Sequence, residues 1–161
     1  MATHGFFLAV EGIDGAGTTT FIQGLTHRLQ REGYTVHITA EPTSGPVGQH
    51  IRTLLRQKEA PVDNTALALL FAADRYLHYT TEIAPRVAAG EVVISDRYVL
   101  SSLAYQSIGE DPDWVRELNS RAPSPDFTFY FSLPVHTAQA RIHTRGEPTE
   151  TLEARSFQEQ V

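Results

Sequence analysis

A layered α/β domain with a mainly parallel sheet flanked by helices is the fold class predicted, and three observations predict it. Short apolar runs alternate with segments of helical periodicity along the whole chain. The first apolar run opens directly into a glycine-rich stretch, "EGIDGAGTTT" (residues 11–20), followed by a helical pattern. Charged residues recur where later apolar runs end, at Glu41 and at Asp96–Arg97. In parallel sheets ligands bind beyond those C-terminal strand ends.

Each element has its own signal. "FFLAVE" (6–11) is a short apolar run stopping at glycines, a buried first strand. Phe21, Ile22, Leu25 and Leu29 recur at helical spacing, and Gly33 stops that helix. "YTVHIT" (34–39) is β-branched and alternating, a second strand; "EPTSGPVG" is a turn-rich loop, and a short helix follows over about 49–57. "NTALALLFAADRYLHYTTEIA" is a long apolar helix with Asn64 or Thr65 as its N-cap. Leu67, Phe71 and Arg75 share one of its faces, Leu69, Ala73 and Tyr76 lie away from it, and Pro85 ends or kinks it. "EVVISDRY" (91–98) is a third strand, and "SSLAYQS" starts a helix. "FTFYFSLP" (127–134) is a fourth strand, "VHTAQARIHTR" a helix, "GEPTET" a polar loop and "LEARSFQEQV" the start of a last helix.

Composition narrows the function. A chain of 161 residues, 41% hydrophobic, fits one domain with a real core. Its net charge of −6 argues against a nucleic-acid binder, whereas small phosphorylated substrates need only a few local arginines. There is no cysteine, hence no disulfide or thiolate chemistry. The N-terminal apolar run is short, lacks a basic flank and reads as a strand rather than a signal peptide; no stretch approaches a membrane span. A cytoplasmic protein is expected.

The glycine stretch comes within one residue of the phosphate-loop pattern G-x-x-x-x-G-K-[ST]: Gly12, Gly17 and Thr19 fit, and Thr18 stands where lysine belongs. Of 13 basic residues only Lys58 is lysine. Strand, glycines and helix place backbone amides around phosphate oxygens at a helix N-terminus, and the Thr19 hydroxyl suits Mg²⁺; a tight strand-to-helix turn is the plainer alternative. Asp96 at a strand end is a natural partner of Mg²⁺ and Arg97 a phosphate fork, or the two form an ion pair capping the next helix. Phe71 and Arg75, four apart on one face, suit a flat base with carbonyl edges, or are a core ring and a surface charge. Arg141 and Arg145, also four apart, either close over phosphates as a lid or lie on a solvated helix face.

Taken in order, "EGIDGAGTTT", "EPTSGPVGQHIR", "LLFAADR", "SDRYVLSSLAYQ", "SPDFTFYFSLP" and "RGEPTETLEARSFQEQV" resemble the thymidylate kinase family over essentially the whole chain. The resemblance implies a phosphate-loop NTPase of the nucleoside-monophosphate-kinase kind: one domain, 1–161, with a lid segment over about 142–153. It implies ATP phosphates held by Gly12, Gly15, Ala16, Gly17, Thr18, Thr19 and Thr20, with Thr19 and Asp96 at Mg²⁺. It implies that Phe71 stacks on thymine, Arg75 meets a thymine carbonyl, and Ser102 lies by the base edge. Tyr105 would pack on the sugar and disfavour a 2′-hydroxyl, Arg97 with Arg52 would bind the dTMP phosphate, and Asp14 would approach the 3′-hydroxyl or the acceptor phosphate. The resemblance places Glu41 in the same dTMP site.

Within the family a catalytic arginine comes from the loop or from the lid. Gly15 stands where the first kind has arginine, so Arg145, with Arg141, resembles the lid supply. Three positions depart from the pattern: Thr18 for lysine, Ala40 for an arginine before Glu-Pro, and Ser132 for an aspartate after the fourth strand. Family chains continue to a further strand and helix, which this chain is expected to lack. The implied activity is ATP:dTMP phosphotransfer with Mg²⁺ by a homodimer, with no nucleic acid or membrane involved. The alternatives are a catalytically silent nucleotide-binding module and a kinase of another deoxynucleoside monophosphate.

Overall fold

The computed structural model describes residues 4–56, 63–145 and 159, with the backbone alone of Arg145. Four parallel strands lie in the order β2-β3-β1-β4, where β1 is Phe6–Gly12, β2 Val36–Ala40, β3 Val92–Asp96 and β4 Phe127–Phe131. Parallel neighbours require crossovers, and helices supply them. These are α1 (Thr18–Arg31), α2 (Pro46–Arg56), α3 (Asn64–His78), α4 (Ala84–Ala88), α5 (Val99–Tyr105), α6 (Pro112–Leu118) and α7 (Val135–Arg145).

The two central strands are covered on both faces. Phe7, Ala9 and Val93 pack with Ile83 and Tyr98 on one side; Leu8, Val10, Val92 and Ile94 pack with Ile22 of α1 on the other. Burial on both faces is why β1 and β3 read as continuous apolar runs rather than alternating ones. The register sets Val10 and Ala40 both opposite Asp96. The C-terminal ends of β1, β2 and β3 are therefore level, and the loops leaving them emerge side by side.

Several expected boundaries shift. β2 begins at Val36 and β3 covers only Val92–Asp96. α2 starts at Pro46, where a missing N–H costs nothing in a first turn. The N-cap of α3 is Asp63, not Asn64 or Thr65: its carboxylate accepts from the Ala66 amide at 3.0 Å. Nor does Pro85 end the helical run. A π-helical turn over Tyr79–Ile83 follows α3, and α4 carries on to Ala88 with Pro85 in its first turn, where proline is tolerated. α6 was not expected. Its signal is "DPDW": Asp111 caps Asp113 and Trp114, and Pro112 opens the helix. The polar loop, most of the lid segment and the last expected helix lie outside the described residues, Glu159 apart.

Candidate active site

The loop from β1 to α1 is built for a polyanion. Gly15 and Gly17 hold φ of 84° and 99°, left-handed values that a side chain resists, and α1 begins at once at Thr18. The first amides of that helix thus point into the loop with the positive end of its dipole. Gly15 also has no room for a side chain: a Cβ there would lie 2.5 Å from the Ala138 carbonyl of α7. This close approach brings α7 over the loop, and one turn after Ala138 Arg141 points back. Its Nη1 lies 3.3 Å from the carbonyls of both Gly15 and Ala16.

Thr18, in the lysine position, hydrogen-bonds the Asp96 carboxylate through its hydroxyl. Burial raises the Asp96 pKa above the ordinary carboxylate value, against the opposing pull of Arg97 and that hydrogen bond. Thr19 is exposed, and it lines with Asp96 a second cavity of about 520 Å³ between α1 and β2. Ala40 also borders that cavity, alongside Arg52, His37 and Glu82.

One face of α3 is buried against the surrounding elements. Phe71, Asp74, Arg75 and His78 recur at i, i+3, i+4 and i+7, and all four are buried. Asp74 accepts from the Thr43 amide at 2.7 Å and the Thr43 hydroxyl at 2.6 Å. Arg75, 1% exposed, donates from Nε to Glu41 Oε2 at 2.9 Å, and its Nη2 stands 2.7 Å from the same oxygen. Nη2 also donates to the Tyr98 carbonyl, while Nη1 donates to Ser102 Oγ at 2.8 Å and to Asn119. Every nitrogen of the guanidinium is engaged. Breaking so buried a pair from one side would strand the other charge, at a cost of about 3–5 kcal/mol.

Arg97 is the strained residue of the site. It has a φ of 73°, the one positive value on a non-glycine residue among the described residues. Two hydrogen bonds pin that turn, from the Arg97 amide to the Val10 carbonyl and from Ser95 Oγ to the Arg97 carbonyl. Glu11 reinforces it by accepting from the Tyr98 amide and the Ser101 hydroxyl, and burial pushes the Glu11 pKa up despite those bonds. The side chain then reaches Asp14 Oδ1 at 2.6 Å and Ser101 Oγ at 3.2 Å, with its guanidinium carbon 5.2 Å from the Tyr105 ring centroid. Burial opposes the Arg97 charge, yet Asp14 and Tyr105 more than restore it, and the guanidinium pKa is raised. Backbone strain held by converging bonds in a cleft is a signature of function rather than of packing.

These elements enclose a cleft of about 160 Å³. Asp14, Glu41, Arg52, Phe71, Arg75, Arg97, Ser102 and Tyr105 all line it. Arg52 additionally donates to the Pro42 carbonyl. The phosphate loop and Asp96 adjoin the cleft through Asp14 and Arg97; Arg145 has no described side chain, so of the two lid arginines only Arg141 is placed at the loop. Sequence reasoning missed Glu11, Gln106 and Asn119. Gln106 lines the same cleft, is 6% exposed, and its Oε1 has no hydrogen-bond partner among the described residues. Its signal was its place four after Ser102, on the same helical face.

The chain is similar to known proteins over most of its length. The family model described as thymidylate kinase matches residues 10–161. A "Probable thymidylate kinase" of Caldivirga maquilingensis is 43% identical over 87% of this chain and 69% of its own length. One of Pyrobaculum aerophilum is 45% identical over 96% of this chain and 78% of its own. The protein named "Thymidylate kinase" in Desulfotalea psychrophila is 40% identical over 98% and 78%. With matches of this extent, and with a phosphate loop beside a cleft that gathers the expected substrate residues, the chain belongs to the thymidylate kinase family.

Proposed function

We propose that the chain transfers the γ-phosphoryl group of ATP to dTMP, giving dTDP and ADP. The observation that carries this reading is the convergence of eight residues, from four separate segments of sequence, on one cleft beside the phosphate loop. Phe71 supplies an apolar wall for a flat base. Because Ser102 Oγ accepts from Arg75, its own proton remains for a base carbonyl. Gln106 offers an acceptor for the N3–H of thymine and a donor for a neighbouring carbonyl. In this reading the sugar lies against Tyr105 and Asp14, and the phosphate against Arg97 and Arg52, all of which line the cleft.

The chemistry asks little more. A dTMP phosphate oxygen is already anionic; it attacks the γ-phosphorus as the bond to the β-phosphate oxygen breaks. No general base is required, only positioning and neutralisation of charge. Thr19 and Asp96 are hard oxygen donors that fit Mg²⁺ completed by waters and substrate phosphates. That ion, when bound, neutralises charge on the phosphates. Arg141 supplies the fixed cation that Thr18 does not.

The direct test is dTMP-dependent ADP formation with ample Mg²⁺, run beside other deoxynucleoside monophosphates. Preference for dTMP is expected. Binding of dTMP without turnover would make the chain a silent nucleotide-binding module and sink the kinase reading. Gln106→Leu is expected to raise the KM for dTMP at least about tenfold with kcat little changed, since it leaves both of these base hydrogen bonds unmade; steady-state kinetics decide it.

The reading includes a homodimer formed through the outer face of α3. Leu69 and Tyr76 are about half exposed there, in line with exposed Ala73, at positions i, i+7 and i+4. Leu69→Glu is expected to convert a dimer to a monomer in sedimentation velocity. A wild-type monomer at micromolar concentration would refute this part. The reading also takes the enzyme as cytoplasmic, in keeping with a cysteine-free chain, and as acting on neither nucleic acid nor membrane.

A further inference from the structure

We infer that His78 is a positioning residue for the base of dTMP, acting through Glu41 on Arg75. The inference rests on the proposed function but concerns a side chain that does not line the cleft.

The carboxylate of Glu41 has two buried oxygens and two different neighbours. Oε2 belongs to Arg75, through Nε at 2.9 Å and Nη2 at 2.7 Å. Oε1 faces Nδ1 of His78 at 3.0 Å. An acceptor-only carboxylate requires the proton to be on Nδ1. The other ring nitrogen, Nε2, lies 2.8 Å from Thr39 Oγ1 on β2, with Glu82 behind it at 3.9 Å. His78 is thus held at both ends and is 2% exposed. Nothing about it suits it to meet a ligand, but it fixes the plane of the carboxylate that it touches.

That plane decides where Arg75 points. With Oε1 occupied by His78, the carboxylate presents Oε2 alone to the guanidinium, and Arg75 takes it with two nitrogens. Nη1 then turns toward Ser102, which lines the cleft, and toward Asn119. Without the Nδ1 donor, the Glu41 carboxylate is free to rotate and to offer both oxygens to Arg75 as a symmetric fork. The guanidinium would follow, and Ser102 would lose the bond that directs its proton to the base. His78 and Arg75 are three apart on α3, so the lever is short and rigid.

The test exploits the two ring nitrogens. An asparagine amide can stand in for Nδ1, and a glutamine amide for Nε2. His78→Asn keeps the donor to Glu41; His78→Gln keeps only the contact to Thr39. Affinity for dTMP by calorimetry, KM for dTMP and ATP, kcat and Tm are measured for both, and for Thr39→Val. The expected result is a dTMP Kd and KM raised about tenfold in His78→Gln, within about threefold of wild type in His78→Asn, and raised only a few-fold in Thr39→Val, with KM for ATP unchanged throughout. Equal loss of dTMP affinity in the Asn and Gln variants, or a fall in Tm with dTMP affinity untouched, would overturn the inference. If the wild type binds dTMP but does not turn it over, the kinase reading fails while the calorimetric comparison still decides this one.

Discussion

Arg97→Ala is expected to lower kcat/KM for dTMP by about 10³-fold, the range seen when one fixed donor is removed from a charge-stabilising site. Among the described residues, the guanidinium is the one cation placed at once against Asp14, Ser101 and the face of Tyr105. In the proposed reading its loss removes the positive charge that would face the acceptor phosphate, and it leaves Asp14 as an unopposed negative charge in its place. Lysine is no substitute, because an ammonium cannot reach Asp14 and Ser101 from one planar fork while stacking on a ring. Arg97→Lys should therefore recover less than tenfold of the loss.

The backbone separates this effect from misfolding. A φ of 73° costs a side chain of this kind about 1 kcal/mol that glycine does not incur. Arg97→Gly should then be about as inactive as Arg97→Ala yet more stable by roughly that amount. Thermal melts and initial rates on the same two proteins decide the matter. A glycine variant no more stable than the alanine one would mean that the turn carries no strain, and an active alanine variant would remove Arg97 from the site.

The contrast between Arg97 and Arg75 shows what the sequence could and could not say. Both were legible as site residues, because each sits on a recognisable segment. Their roles were not equally legible. "SDRY" places Arg97 at a strand end, and the register with β1 and β2 makes that end face the cleft. Arg75 was expected to meet a base carbonyl, whereas its nitrogens are all engaged by protein groups drawn from the loop after β2, the start of α5 and the end of α6. Contacts between residues 23 to 44 positions apart leave no periodic trace, so no local pattern could reveal them. His78 escaped notice for the same reason, whereas Gln106 does leave a local trace, four residues after Ser102. The α/β class and the four strands were legible because their signals are local: apolar runs, glycine stops and helical spacing. The cap at Asp63 and the π turn before Pro85 were not, since each depends on which of several adjacent residues the chain uses.

The phosphate loop yields the second large effect. Arg141→Ala is expected to reduce kcat by about 10²- to 10³-fold with the KM for dTMP little changed. A loop lysine normally places one positive charge against the donor phosphates. Thr18 cannot, and its hydroxyl is already turned to Asp96. Lys58, the only lysine, lies outside the described residues. Arg141 is the cation proposed to meet the need, on its position: its Nη1 stands over Gly15 and Ala16, and a Cβ on Gly17 would lie 3.5 Å from it. Its two contacts to carbonyls are long, so turning toward an anion sacrifices little. The absence of a side chain at Gly15 is the other half of the arrangement. An arginine there would collide with the α7 backbone at Ala138, and α7 could not then deliver Arg141 one turn later. Loop arginine and helix arginine are thus mutually exclusive in this packing. Thr18→Lys in the Arg141→Ala background tests the exchange directly: it should restore at least about tenfold of the lost rate, because the charge returns to the place from which it is missing. Should Arg141→Ala retain near wild-type kcat while Arg145→Ala does not, the compensating charge would belong to Arg145, and the close contact at Gly15 would be a matter of packing alone.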